Sequence, residues 1–145
     1  MVLSGGSASG AALVLDEPLS FWGGIDAADG RVIDVHHPQL GRSVAGRVLL
    51  LPSGRGSSSS SSVLAEAIRL GTAPAAILLG EADPILAVGA AVARELYGLA
   101  VPVLAVEPEV YSGIRTGDHV EVDATRADDP QIWTVPGPGP EPAPD

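Results

Sequence analysis

Residues 47–106 read RVLLLPSGRGSSSSSSVLAEAIRLGTAPAAILLGEADPILAVGAAVARELYGLAVPVLAV, and this stretch decides the fold. The run 47–52 is continuously apolar up to Pro52, the pattern of a strand buried on both faces and stopped by a residue without an N–H. After the serines the period changes: Val63, Leu64, Ala67 and Ile68 fall on one side of a helix, Glu66 and Arg69 on the other, and Gly71 supplies a stop. Residues 75–79 give a second buried strand. Asp83 and Pro84 then provide an N-cap and a first-turn proline for a helix to about residue 97, with Ile85, Val88, Val92 and Leu96 inward and Arg94 and Glu95 outward. Gly98 ends it and 101–106 gives a third strand. Such β-α-β-α-β alternation predicts a parallel core of three strands with right-handed crossovers and flanking helices, an α/β domain.

Working outward, 11–15 (AALVL) is a short strand closed by Asp16, Glu17 and Pro18. Asp29-Gly30 marks a turn before the alternating Val32, Ile33, Asp34 and Val35, which predict a strand. A short helix or turn over 108–113 and an alternating strand over 119–122 follow. No internal repeat is present. From residue 136, PGPGPEPAPD carries no apolar anchor, so the expected organisation is one domain over 1–135 and a disordered tail over 136–145.

Composition removes several classes of function. The chain has 145 residues, 46% hydrophobic but only 3% aromatic, so its core is aliphatic. Eighteen acidic side chains face eight basic ones, all arginine, for a formal charge of -10, which opposes binding to nucleic acid or to an anionic membrane. The lack of lysine excludes a Schiff base. With no cysteine, the chain alone offers neither a thiol nucleophile nor a thiolate site for zinc or an iron-sulfur cluster. The first 18 residues lack the basic and long apolar regions of a signal peptide, so a cytoplasmic location is expected.

Gly54-Arg55-Gly56 and Ser57 to Ser62 have the composition of a flexible linker, yet they sit at a strand-to-helix junction with no second domain to link. α/β proteins place ligand sites at such junctions. The glycines permit close backbone approach, and the helix start turns N–H groups and the positive dipole end toward an anion or a serine alkoxide. Neither a phosphate-binding P-loop nor a G-x-S-x-G nucleophile elbow is present. Arg55 is the natural anchor for a carboxylate or phosphate, because its planar fork makes bidentate contacts; the alternative is an exposed surface arginine. His36 and His37 follow a predicted strand, where neighbours point to opposite faces, so a structural or interface role is favoured over a shared metal. Trp22, with Phe21, Gly23 and Gly24, is a candidate for the site mouth or an interface. Glu81 and Asp83, at another strand end, read as capping groups.

The string PSGRGSSSSSSVLAEAI, with PLSFWGG and DVHHP upstream and GTAPAAILLGEADPILAVGAAVARELYG downstream, resembles the small subunit, or swivelling domain, of the aconitase X group over about residues 7–123. The resemblance implies a β/β/α swivel that closes over a large catalytic subunit. It also implies a dehydratase, acting on cis-3-hydroxy-L-proline in mostly bacterial members or on mevalonate 5-phosphate in mostly archaeal ones. In that group the serine after Gly-Arg-Gly is the base, which maps onto Ser57, with Arg55, Gly56, Ser58 and Ser59 expected against the substrate. No metal or cofactor is expected on this chain; an iron-sulfur cluster or metal is expected on the large subunit. Arginine-only, alanine-rich usage fits a GC-rich bacterial coding sequence and favours the proline derivative. A swivel-fold interaction module without chemistry is the alternative from a different class.

Overall fold

Strands that are apolar on both sides need cover on both sides, and this chain supplies helices on one face and more strands on the other. The computed structural model describes residues 1–55 and 57–139. The elements run β1 (Val2–Ser4), β2 (Gly6–Val14), α1 (Phe21–Gly24), β3 (Ile25–Asp26), β4 (Arg31–Val32), β5 (Val48–Leu51), α2 (Ser59–Leu70), β6 (Ala76–Leu79), α3 (Pro84–Tyr97), β7 (Val103–Ala105), α4 (Pro108–Ser112), β8 (His119–Ala124) and β9 (Gln131–Val135). One sheet has the order β1-β7-β6-β5-β2-β8-β9. The predicted parallel core is present as β5, β6 and β7, and β2 joins it in parallel alongside β5. β1, β8 and β9 pair antiparallel to their neighbours.

The period-2 rule of strands explains the two cores. Leu49, Leu51, Ile77, Leu79 and Val103 point to the helix side, where they meet Leu64, Ile68, Leu86 and Ala90. Their neighbours Val48, Leu50, Ala76, Leu78 and Leu104 point the other way, onto Val120, Val122, Ala124 and Ile114. Each fully buried leucine contributes about 2 kcal/mol through the area it removes from water. β1 and β2 are separated by Gly5 alone, yet they lie on opposite flanks of β7-β6-β5. The sheet therefore curls, and the strands of the amino-terminal arm and β8 cover the second apolar cluster.

Gly71 and Gly98 end α2 and α3 in the left-handed conformation, as expected, with φ of 80° and 67°. α2 starts inside the serine run, at Ser59.

Two expectations are corrected. The strand over 32–35 stops at Val32, because Asp34 starts a turn: its carbonyl accepts from His37 N–H at 3.0 Å and its carboxylate from His36 N–H at 2.9 Å. The inward face of α3 is Leu86, Gly89, Ala90 and Ala93, whereas Val88, Val92 and Leu96 are exposed. The reason is steric: a Cβ on Gly89 would lie 2.7 Å from the Ser61 carbonyl oxygen and 3.2 Å from Leu64 Cβ, so α2 and α3 pack too closely for large side chains between them. In the segment expected from sequence to be a tail, Gly137 donates its N–H to Asp118 Oδ1 at 3.0 Å. Asp118 also accepts from Arg115 N–H, and these two bonds, that to Arg115 first, hold its carboxyl below the usual range. Residues 140–145 of that tail lie outside the described residues.

Candidate functional site

Parallel strands leave their carboxyl ends and the following helix starts on one edge, and three loops meet there. The loop after β5 forms a bridge from Gly54 to Leu19, parallel in sense, which joins it to the loop after β2. The loop after β6 brings Asp83 over Gly54: a Cβ at that position would fall 1.8 Å from Asp83 Oδ2, so a side chain there would displace the Asp83 carboxylate. The other carboxylate oxygen of Asp83 accepts from Ile85 N–H at 2.9 Å, capping α3 as expected from sequence. Leu19, Phe21, Gly54, Arg55, Ser57, Ser60, Asp83, Ile85 and Leu86 line one crevice.

Within the serine run the structure distinguishes residues that sequence leaves alike. Ser60 is buried, at 4% exposure. Its Oγ accepts from Trp22 N–H at 3.1 Å and lies 3.1 Å from Ser20 Oγ, which fastens the Ser20–Trp22 backbone to the first turn of α2. Ser61 Oγ donates to the Ser58 carbonyl at 2.7 Å. Ser60 N–H bonds to the Ser57 carbonyl and Ser61 N–H to the Ser58 carbonyl, so the helix opens in a tight turn. Ser58 occupies the N-cap position with helical dihedrals and makes no side-chain cap bond. Ser57 is half-buried, and among the described residues nothing hydrogen-bonds to its Oγ. Ser58, Ser59 and Arg55 are exposed beside it, while Gly56 lies outside the described residues.

Other sequence candidates separate from this cluster. His37 is buried at 6% exposure, with Nδ1 accepting from Gln39 N–H and Nε2 against the Glu17 carbonyl, each at 3.0 Å. Those partners fix the tautomer with the proton on Nε2, and the ring braces the loop that leads into Leu19. His36 is exposed in the same turn. His119 sits on β8 next to Glu121, 3.5 Å from its carboxylate. No histidine ring therefore pairs with a serine of the run, and a Ser-His triad is absent from the described residues. Trp22 reaches the run through its backbone while its side chain is 61% exposed. Sequence reading missed Ser20 and Ser60 as braces and Asp83 as a wall of the crevice; the signal available for Asp83 was its place at the end of a buried strand.

The crevice has essentially no room for even a water-sized molecule, against the roughly 300 Å³ at which ligand pockets begin. By itself it encloses no ligand-sized space. Among the described residues no three His, Asp or Glu side chains converge as a metal site would need, and the sequence has no cysteine to ligate a cluster.

Comparison with known proteins identifies the domain. Residues 1–128 match the family model described as the aconitase X swivel domain. The chain belongs to that family. Over 101 residues, 70% of the chain, the swivel is 56% identical to a cis-3-hydroxy-L-proline dehydratase of Pseudomonas aeruginosa, of which the match covers only 17%. Over 92 residues, 63% of the chain and 70% of the relative, it is 51% identical to a phosphomevalonate dehydratase small subunit of Methanothermobacter thermautotrophicus. The crystal structure of Thermococcus kodakaraensis aconitase X in its holo-form superposes with a TM-score of 0.81 at 34% identity, covering 93% of this chain and 95% of that one. The fold expectation of an aconitase-type swivel is thus met. Among its described residues the swivel has no helix long and apolar enough to cross a membrane.

Proposed function

We propose that this chain is the small, swivel subunit of an aconitase X type hydro-lyase, acting with a large catalytic chain on a β-hydroxy acid, with cis-3-hydroxy-L-proline as the substrate. The observation that carries the reading is the one-sided crevice beside Gly54, Arg55 and Ser57: it presents a serine hydroxyl with no hydrogen-bond partner among the described residues and an arginine at a helix start but is too small to enclose a substrate. A second protein surface completes it. The 56% identity to the Pseudomonas dehydratase and the arginine-only composition support the proline derivative. One observation favours a second substrate, mevalonate 5-phosphate: relatives of similar length to this chain carry the phosphomevalonate name.

The roles are those that the family resemblance implies, and the strand-to-helix geometry of the loop supports them. Ser57, as alkoxide, takes the proton from the carbon next to the substrate carboxylate. The electron pair left behind forms the carbon–carbon double bond, and hydroxide leaves from the neighbouring carbon on the side facing the large chain. The first turn of α2 supplies a positive dipole end that stabilises the alkoxide. Arg55 holds the substrate carboxylate with its guanidinium fork, assisted by Gly56, Ser58 and Ser59. Trp22, fastened through Ser60, forms the mouth, while His36 and His37 stay on the loop behind it. On this reading a cluster or metal belongs to the large chain, since no ligand set for one is present among the described residues of this chain, and the reaction is cytoplasmic.

The test combines purified small and large chains with each substrate separately. Loss of cis-3-hydroxy-L-proline with the mixture, and none with the small chain alone, is expected; turnover of mevalonate 5-phosphate only would replace the substrate, and turnover of neither would leave an interaction module. In the active mixture Arg55→Lys is expected to raise KM about tenfold or more with a smaller change in kcat, because an ammonium replaces a bidentate fork. An unchanged KM would remove Arg55 from the substrate.

A further inference from the structure

Helix α3 has two apolar faces, and the core uses one of them. Ile85, Val88, Val92 and Leu96 form the second: at about 100° per residue they fall within an arc of about 80°, and at about 1.5 Å per residue they extend about 16 Å. Val88 is 53% exposed, Val92 39% and Leu96 68%, a density of open aliphatic surface that an unpartnered helix does not need. The stripe starts at the candidate site, since Ile85 lines the crevice with Arg55 and Ser57. Farther along, Val92 and Tyr97 border a groove with Ser61, Ser62, Ala65 and Glu66 of α2.

We propose that this stripe of α3 is the surface that anchors the large chain. The inference rests on the two-chain reading above and adds the place of attachment. In the Pseudomonas relative the matched region is 17% of one polypeptide, so there the swivel is tied to the rest by the chain itself. A separate small subunit has to replace that tie with buried surface, of the order of 800 Å² per partner for a standard interface. The edge carrying Arg55, Ser57, Ser58 and Ser59 is polar and cannot supply the apolar part of that area, whereas the stripe can and is continuous with the edge that needs covering. A second copy is disfavoured as occupant, because each chain has a formal charge of -10 and like charges repel.

The experiment titrates the full chain with the protein of the same genome that matches the rest of the Pseudomonas dehydratase, reading association by size exclusion and Kd by calorimetry. Val88→Asp and Val92→Asp are each expected to raise Kd at least about tenfold, while Ala91→Asp, on the same helix off the stripe, leaves it within about twofold. Circular dichroism and Tm establish that each variant is folded; should either aspartate variant unfold, Val88→Ser and Val92→Ser replace them with the same expected direction. Unchanged Kd for both stripe variants, with wild-type association intact, overturns the docking surface alone. No association of the wild-type chain overturns the two-chain reading and the surface with it. A wild-type homodimer that Val88→Asp turns to monomer assigns the stripe to a second copy and also overturns the proposal.

Discussion

Ser57→Ala is expected to lower kcat of the assembled two-chain enzyme by at least about 100-fold, the scale on which loss of a general base is felt. Its effect on folding should be small, because among the described residues Ser57 Oγ has no hydrogen-bond partner to leave unsatisfied. Removal of the hydroxyl therefore separates chemistry from structure more cleanly here than at Ser60, whose Oγ takes the Trp22 N–H. The measurement is single-turnover kinetics on the mixed chains, with Tm and co-elution as controls. Near wild-type turnover from Ser57→Ala would move the base to Ser58 or Ser59.

The second large effect is on stability. Gly89→Val places a branched side chain where a Cβ already falls 2.7 Å from the Ser61 carbonyl oxygen and 3.1 Å from Ser61 Cα, both backbone atoms. Overpacking of this kind costs about 3 kcal/mol. The gain in helix propensity over glycine, at most about 1 kcal/mol, offsets only part of it. Since α2 must move to make room, the displacement reaches the turn that carries Ser57 and Ser60, and substrate binding should weaken in the same variant. Urea unfolding of the isolated chain measures the first effect; a midpoint equal to wild type would show that the helices are not in the close register described.

These two residues show how far the sequence could be read. The strand-to-helix junction that carries Ser57 was legible, because the buried runs on either side fixed the parallel core around it; the choice of Ser57 within the run came from the family resemblance. Gly89 was not legible. The inward face of α3 was assigned by size, to Ile85, Val88, Val92 and Leu96, but close helix packing selects small residues, and Gly89, Ala90 and Ala93 carry no hydrophobic signal that distinguishes them from their neighbours. Ser60 was hidden for a related reason: six identical serines have no pattern, and only the loop from Ser20 to Trp22, distant in sequence, makes one of them a brace. The opening of β2 was equally silent, since GSASG has neither bulk nor alternation and becomes a strand through its pairing with β8. β9 lies beyond the last strand expected from the sequence, and most of its side chains stay exposed.

The arm formed by β1 and β2 also sets an order of events during synthesis. Val2 pairs with Leu104, and Gly6 with Ala124, so these residues find their hydrogen-bond partners only after about a hundred others have followed them out of the ribosome. Until then β5, α2, β6 and α3 can assemble from contacts close in sequence, but their second face, with Leu50 and Leu78, remains open to water. Closing that face is a long-range step of the kind that slows folding. A nascent chain halted before β8 would expose an aliphatic sheet without a lid, and for that interval the acidic surface, by mutual repulsion between chains, is what keeps one polypeptide from pairing with the next.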